Sequence, residues 1–359
     1  MVVLTVDEIA EGISKVLKPE ALRQPSIKTE DEIELIERRD SRLVATPLPL
    51  EDETAYEISL DEIQEYRNSG AVGIDEGLWR WTQGTHDTIV CNAGWITTSK
   101  SCPYFAKEVS RDWAIIARNV EVLRPNLPGS LRNRVFQLSS KKPIEDQIDK
   151  LCARFMQKQL RSAIQSAAEL PQIKIDEVDG ALRAHSHKDI DNLGNFYKYI
   201  HERTSKLAVF VVKRPKIQSV VRHYGLNLYS DDRAFYLEKM ARKRKNPENF
   251  VRSHWIRERD PRISADNQVT MCWIMTPRNL VFRVETFYWM AKRYGHEILM
   301  RVMADSYQNG GGYFPLHQTM AHQHFSVSYG FRQMLQAKLT YHLELISPES
   351  APLIAYGRY

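Results

Sequence analysis

The sequence predicts a mainly α protein: a multi-helix body with a short irregular or β insert around residues 71–103 and an extended N-terminal arm. Three observations lead there. Apolar residues recur at intervals of three or four through most of the chain after Pro103. Glycines (Gly73, Gly77, Gly84, Gly94) and tryptophans (Trp79, Trp81, Trp95) gather before it, and prolines (Pro19, Pro25, Pro47, Pro49) break up the leader.

Taken in order, the leader reads as short helices, with TPLPLEDE (Thr46 to Glu53) as an extended linker, because each proline fixes its own φ and pushes its predecessor out of the helical region. SLDE, Ser59 to Glu62, is a capping box that opens a short helix from about Leu60 to Asn68, with Gly70 as its stop. The insert reads as loops with one or two short strands, on the alternation in DTIVCNAGWITT.

Phe105, Val109, Trp113, Ile116, Val120 and Leu123 would share one face of a helix ending near Pro125. Pro143 suits a first helical turn, and Ile144, Ile148, Leu151, Phe155, Leu160 and Ile164 carry one stripe onward to Pro171. Further helices are expected from Ile190 to Arg203 and from Asp231 to Lys245. LAVFVV (Leu207 to Val212) reads as a buried strand or helix core. Arg278 to Tyr307 is the longest helical candidate, GGGYFP (Gly310 to Pro315) interrupts, and a last helix spans Phe325 to His342.

The division that follows is an acidic arm (1–58), a helical domain with the tryptophan-rich insert (59–205), a basic and aromatic helical domain (206–345) and a C-terminal tail (346–359). No basic, apolar, small-residue leader pattern and no apolar run long enough to span a bilayer occurs in the 359 residues, so no signal peptide or membrane span is expected and the location is read as cytoplasmic. Cys91, Cys102, Cys152 and Cys272 form no Cys-x-x-Cys pair, which suits free thiols rather than a zinc cluster.

Charge is unevenly spread. Residues 1–66 hold 17 Asp/Glu against 7 Lys/Arg, which leaves 43 Lys/Arg against 28 Asp/Glu beyond them. An acidic leader on a basic body suits polyanion binding, with the leader screening that body or docking on another copy.

The stretch HSHKD resembles the start of the metallo-β-lactamase signature, His-x-His-x-Asp-His, with His185, His187 and Asp189 matching and Ile190 in place of the last histidine. That resemblance implies a zinc site at a strand end, whereas IDEVDGALRA before it reads as a turn and a helix start. Further ligands would have to come from His201, His223 or the cluster His317, His322 and His324. Histidines five apart lie on different sides of a helix, so the segment reads as a polar helix entry, with no metal and no cofactor expected. Phosphate-binding glycine loops, Gly-x-Ser-x-Gly elbows and His-Glu-x-x-His pairs are absent from the sequence.

The strongest positive signal is Met240 to Arg262, where Arg242, Lys243, Arg244, Lys245, Arg252, Arg257 and Arg259 interleave with His254 and Trp255. Cations there would neutralise phosphates and flat rings would stack on bases; Lys292 and Arg293, beside Trp289 and Tyr294, form a second such run. The expected function is therefore a non-enzymatic, self-assembling protein that packages single-stranded nucleic acid, RNA in first place, in the manner of viral coat or nucleocapsid proteins. Copies would be tied together by the arm within a virus particle. The alternatives are a metal-dependent hydrolase using HSHKD and a helical protein–protein adaptor.

Overall fold

A computed structural model describes residues 3–18, 55–67, 70–99, 102–118, 123, 127–139, 143–182, 187–213, 229–258 and 260–348. Among the described residues, eleven strands form one mixed sheet. Its path runs β1 (Ala55–Ile58), β8 (Phe250–Ser253), β10 (Val269–Met275), β11 (Val281–Phe287), β7 (Leu207–Val212), β6 (Ile175–Asp179), β2 (Ala71–Gln83), β3 (His86–Ser99), β4 (Cys102–Ala117) and β5 (Val135–Gln137), with β9 (Ile256–Arg257) paired to β10. β2, β3 and β4 are an antiparallel meander, while β6 joins β2 in parallel and β7 joins β6 in parallel.

The mainly α expectation is thus wrong, and the reason lies in burial on both sheet faces. In β4, Trp113, Ile115 and Ala117 pack with helices α1 (Val6–Val16) and α9 (Tyr329–Ile346), whereas Ala114 and Ile116 pack under α4 (Ile144–Ala168). A strand covered on both faces has no polar alternate positions, so its apolar run is easily matched to a helical period. The same confusion affected Arg278 to Tyr307: its first third is β11, and the helix, α7, spans Tyr288–Gln308. Residues 71–103 are no loop region, since β2 and β3 are among the longest strands of the sheet.

Elements bounded by strong local signals form as expected. The Ser59 capping box opens α2 (Leu60–Gln64), which ends short of the expected Asn68, and Pro143 precedes α4. α5 (His187–Thr204) and α6 (Asp232–Lys243) also form, the latter capped by Asp231. Leu207 to Val212 is a strand. The expected last helix, Phe325 to His342, is α9, which starts at Tyr329 because Ser328 caps it by accepting the Phe331 N–H, and a further helix that was not expected, α8 (Leu316–Phe325), precedes it. A short α3 (Gly129–Arg132) precedes β5.

The described part of the arm is not extended outward. α1 lays Val6, Ile9, Ala10, Ile13 and Val16 against Leu335, Leu339 and Leu343 of its own α9, and residues 55–58 form the edge strand β1. The proline-rich linker from Thr46 to Glu53 lies outside the described residues. Among the described residues no helix is long and apolar enough to cross a membrane, and Cys91, Cys152 and Cys272 are buried free thiols.

Candidate metal centre

The site is built on the parallel pair β2–β6. Register pairs Gly73 with Glu177 and Ile74 with Val178, so the next residues, Asp75 and Asp179, come side by side. Alternation places Gly73, Asp75 and Gly77 on one face of β2 and Glu177 and Asp179 on the same face of β6. α8 crosses that face in close contact. A Cβ at Gly73 would stand 2.0 Å from the His317 carbonyl oxygen, one at Gly77 2.5 Å from the Phe325 carbonyl oxygen, and one at Gly94, opposite Asp75 on β3, 2.3 Å from the Phe325 ring. Only glycine leaves room for the helix backbone to lie this low, which brings its histidines down onto the acids.

His322 Nδ1 lies 3.0 Å from Asp75 Oδ2 and 2.8 Å from Asp179 Oδ2. Asp75 also accepts the Glu76 N–H at 2.8 Å, Asp179 accepts from Gln318 Nε2, and Lys213 Nζ stands 3.5 Å from Asp179 Oδ1. Asp75 is buried while His322 remains half exposed, so the cluster opens to solvent on the imidazole side.

Burial, together with the charge of Asp179, pushes Asp75 up to about 6. Hydrogen bonds to Asp179 and Asp75 push His322 up to about 9. Burial and the charges of Asp75 and Asp179 hold the Glu76 carboxyl well above its usual range. Two carboxylates converging on one small volume call for a positive charge between them, and Asp75, Asp179 and His322 each offer one ligand atom there. Oxygen and imidazole donors converging in this way fit a hard or borderline divalent cation.

A second group lies deeper along the same strand and helix. Glu177, Asp305 of α7 and His317 are all buried, with His317 Nδ1 2.6 Å from Asp305 Oδ1 and the His317 N–H donating to Asp305 Oδ2 at 3.0 Å. Burial, then the Asp305 charge, raises Glu177 well above the carboxylate range.

Sequence reasoning separated His317 from His322 correctly, since they face different clusters, but it missed every acid they meet. Of the HSHKD segment, His185 and the His187 side chain lie outside the described residues, and Asp189 sits in the first turn of α5. His201 binds the Lys206 carbonyl oxygen and Tyr294, His223 lies outside the described residues, and the His324 ring packs on Phe325. The missed signal was an acid on the alternating face of an apolar strand flanked by glycines, Gly73-Ile-Asp75-Glu-Gly77.

The basic stretch is dispersed over α6, β8 and β9. Arg242 pairs with Glu238 on exposed surface, and Lys243 and Lys245 are exposed. Arg244 is tied to the turn before β11, donating to the Thr276 and Pro277 carbonyls and to Asn279. Arg252 covers the Tyr56 ring, His254 bonds the Tyr56 hydroxyl, and Arg257 covers the Tyr288 ring at 3.7 Å. Trp255 is half-buried against the main core, Arg259 lies outside the described residues, and Lys292 and Arg293 are exposed on α7.

No family model and no curated protein matches the chain. Among solved structures, it is similar to the NurA nuclease from Sulfolobus solfataricus, with 14% identity and a TM-score of 0.48 over 82% of this chain and 89% of that one. It is similar also to a second NurA structure, with 9% identity and a TM-score of 0.42 over 80% and 90%. At these scores the likeness assigns neither fold nor activity. The coat-protein expectation, with its non-enzymatic, capsid and virion attributes, is corrected nonetheless. The body is a large mixed sheet carrying an acid–imidazole cluster rather than a helical packaging unit, the described part of the arm packs on the chain's own α9, and the basic residues meant for one groove are dispersed.

Proposed function

We propose that the chain is a metal-dependent hydrolase of nucleic-acid phosphodiesters. The observation that carries this reading is the convergence of Asp75 and Asp179, from adjacent parallel strands, on the His322 Nδ1. In this reading Asp75 and Asp179 hold a divalent cation, with His322 as third ligand or as proton carrier at the open side. The cation, when bound, supplies Lewis acidity toward a phosphoryl oxygen and a more acidic water.

The other groups position the acids and the substrate. Gln318 and the Glu76 N–H fix the carboxylate orientations, as outer partners of ligands do. Lys213 places a positive charge beside Asp179, where a phosphate oxygen can meet it. The exposed Arg242, Lys243, Lys245, Lys292 and Arg293 suit contacts to more distant phosphates, and the basic excess of the chain beyond residue 66 supports a polyanionic substrate.

The test is cleavage of labelled single- and double-stranded DNA and RNA with MnCl2 or MgCl2. Cleavage that disappears with EDTA and in Asp75→Asn is expected. No cleavage of any of the four substrates with either cation, by folded protein, would overturn the reading.

A further inference from the structure

The Glu177–Asp305–His317 group has features that the hydrolytic site does not use. Its members are exposed by 0%, 3% and 4%, and their ligand atoms lie within 4.8 Å of one another. Neither oxygen of Glu177 accepts a hydrogen bond of good geometry among the described residues, the Gln318 N–H and the Asp305 carboxyl being its nearest polar groups, although the side chain is wholly buried and aimed at Asp305 and His317. A buried carboxylate left without a donor is costly. Asp305, which does accept from His317, stands beside it, and two buried carboxylates together need a cation, or a proton shared between them.

The histidine is oriented as a ligand would be. Thr98 Oγ1 holds Nε2 at 3.1 Å, which leaves Nδ1 as the ring atom turned to the carboxylates. A metal-bound imidazole has this kind of partner on its second nitrogen. We infer that Glu177, Asp305 and His317 form a second, buried divalent-cation site that ties β6 to α7 and α8 beneath the hydrolytic centre.

One imidazole nitrogen and two carboxylates favour a transition-series ion such as Mn2+ or Zn2+ over Ca2+, which prefers oxygen ligands alone. Ligands at about 2.0–2.2 Å from a tetrahedral ion stand roughly 3.4 Å apart. Occupancy therefore lengthens the contact of His317 Nδ1 with Asp305 Oδ1 from 2.6 Å. His317 and His322 would then serve two different sites from opposite sides of one helix. The ion would set the depth at which α8 rests and, through Glu177, the strand end that presents Asp179.

The experiment removes the outer site and counts what remains. The variant Asp75→Asn/Asp179→Asn/His322→Ala, dialysed against MnCl2 and desalted, is measured by plasma mass spectrometry, alone and with Glu177→Gln added. One equivalent of divalent metal per chain, lost on adding Glu177→Gln, is the expected result. Metal-free protein in the first variant would overturn the inference and leave a shared proton to close the triad. Because the first variant lacks the outer ligands, either result is independent of whether the chain cleaves nucleic acid. Should the variants not fold, wild-type crystals soaked in MnCl2 decide: an anomalous peak between Glu177 and Asp305 supports the site, and none there overturns it.

Discussion

Helices α8 and α9 follow one another across three residues, yet opposite chemistry holds them to the body. α8 rests over Gly73, Gly77 and Gly94 and makes its key contacts through His317, Gln318 and His322 to the buried Asp305 and Asp75 and the partly buried Asp179. α9 turns Leu335, Leu339 and Leu343 onto α1 and Trp113, with its charged contacts at the rim, where Asp7 meets Lys338 and His342. The apolar contact is non-directional and tolerates adjustment. The polar one fixes atoms to within tenths of an ångström, as a cation site demands.

The sharpest way to separate the two is to remove an acid under α8. Asp75→Asn keeps the shape and deletes the charge, and it should lower cleavage by about 10^3-fold or more, since a lost cation forfeits several kcal/mol of transition-state stabilisation. Thermal unfolding of the cation-free variant should match or exceed that of the wild type, because a buried carboxylate is relieved. A large drop in Tm would mean that the cluster is structural instead.

Leu339→Ala makes the converse change. Leu339 is 0% exposed, and emptying its position should cost about 2–5 kcal/mol in denaturant unfolding while Mn2+ affinity stays unchanged. Coupled loss of cation binding would show that the two helices are not independent. Gly73→Ala lies between these cases: its Cβ would meet the His317 carbonyl, so lifting α8 should cost about 1–3 kcal/mol and abolish Mn2+ binding, read by calorimetry.

Protons should compete with the cation. His322 has its folded value raised from 6.5 to about 9, so its contribution to cation-free stability is full below pH 6.5 and is lost as pH rises through 9. Mn2+ affinity should move the other way, weak below about 6 where Asp75 also holds its proton, and strengthening up to about 9. An affinity flat from pH 6 to 9 would exclude His322 as a ligand. The smallest effect is expected at the rim of α9, where Asp7→Ala should leave the melting temperature within error, since Asp7 is exposed and its ion pairs are screened.

Sequence by itself determined the elements with local signatures: the capping box at Ser59, the proline-bounded α4, the Asp231-capped α6 and the asymmetric charge. These depend on backbone groups and neighbours within a few residues. Tertiary structure decided the strands, because the end of β4 (residues 113–117) and the whole of β11 are covered on both faces and lose the alternation that marks a strand. It also decided the site. Asp75, Asp179 and His322 are separated by 104 and 143 positions in the sequence, and only the parallel register of β2 with β6, and a helix lowered onto three glycines, brings them together.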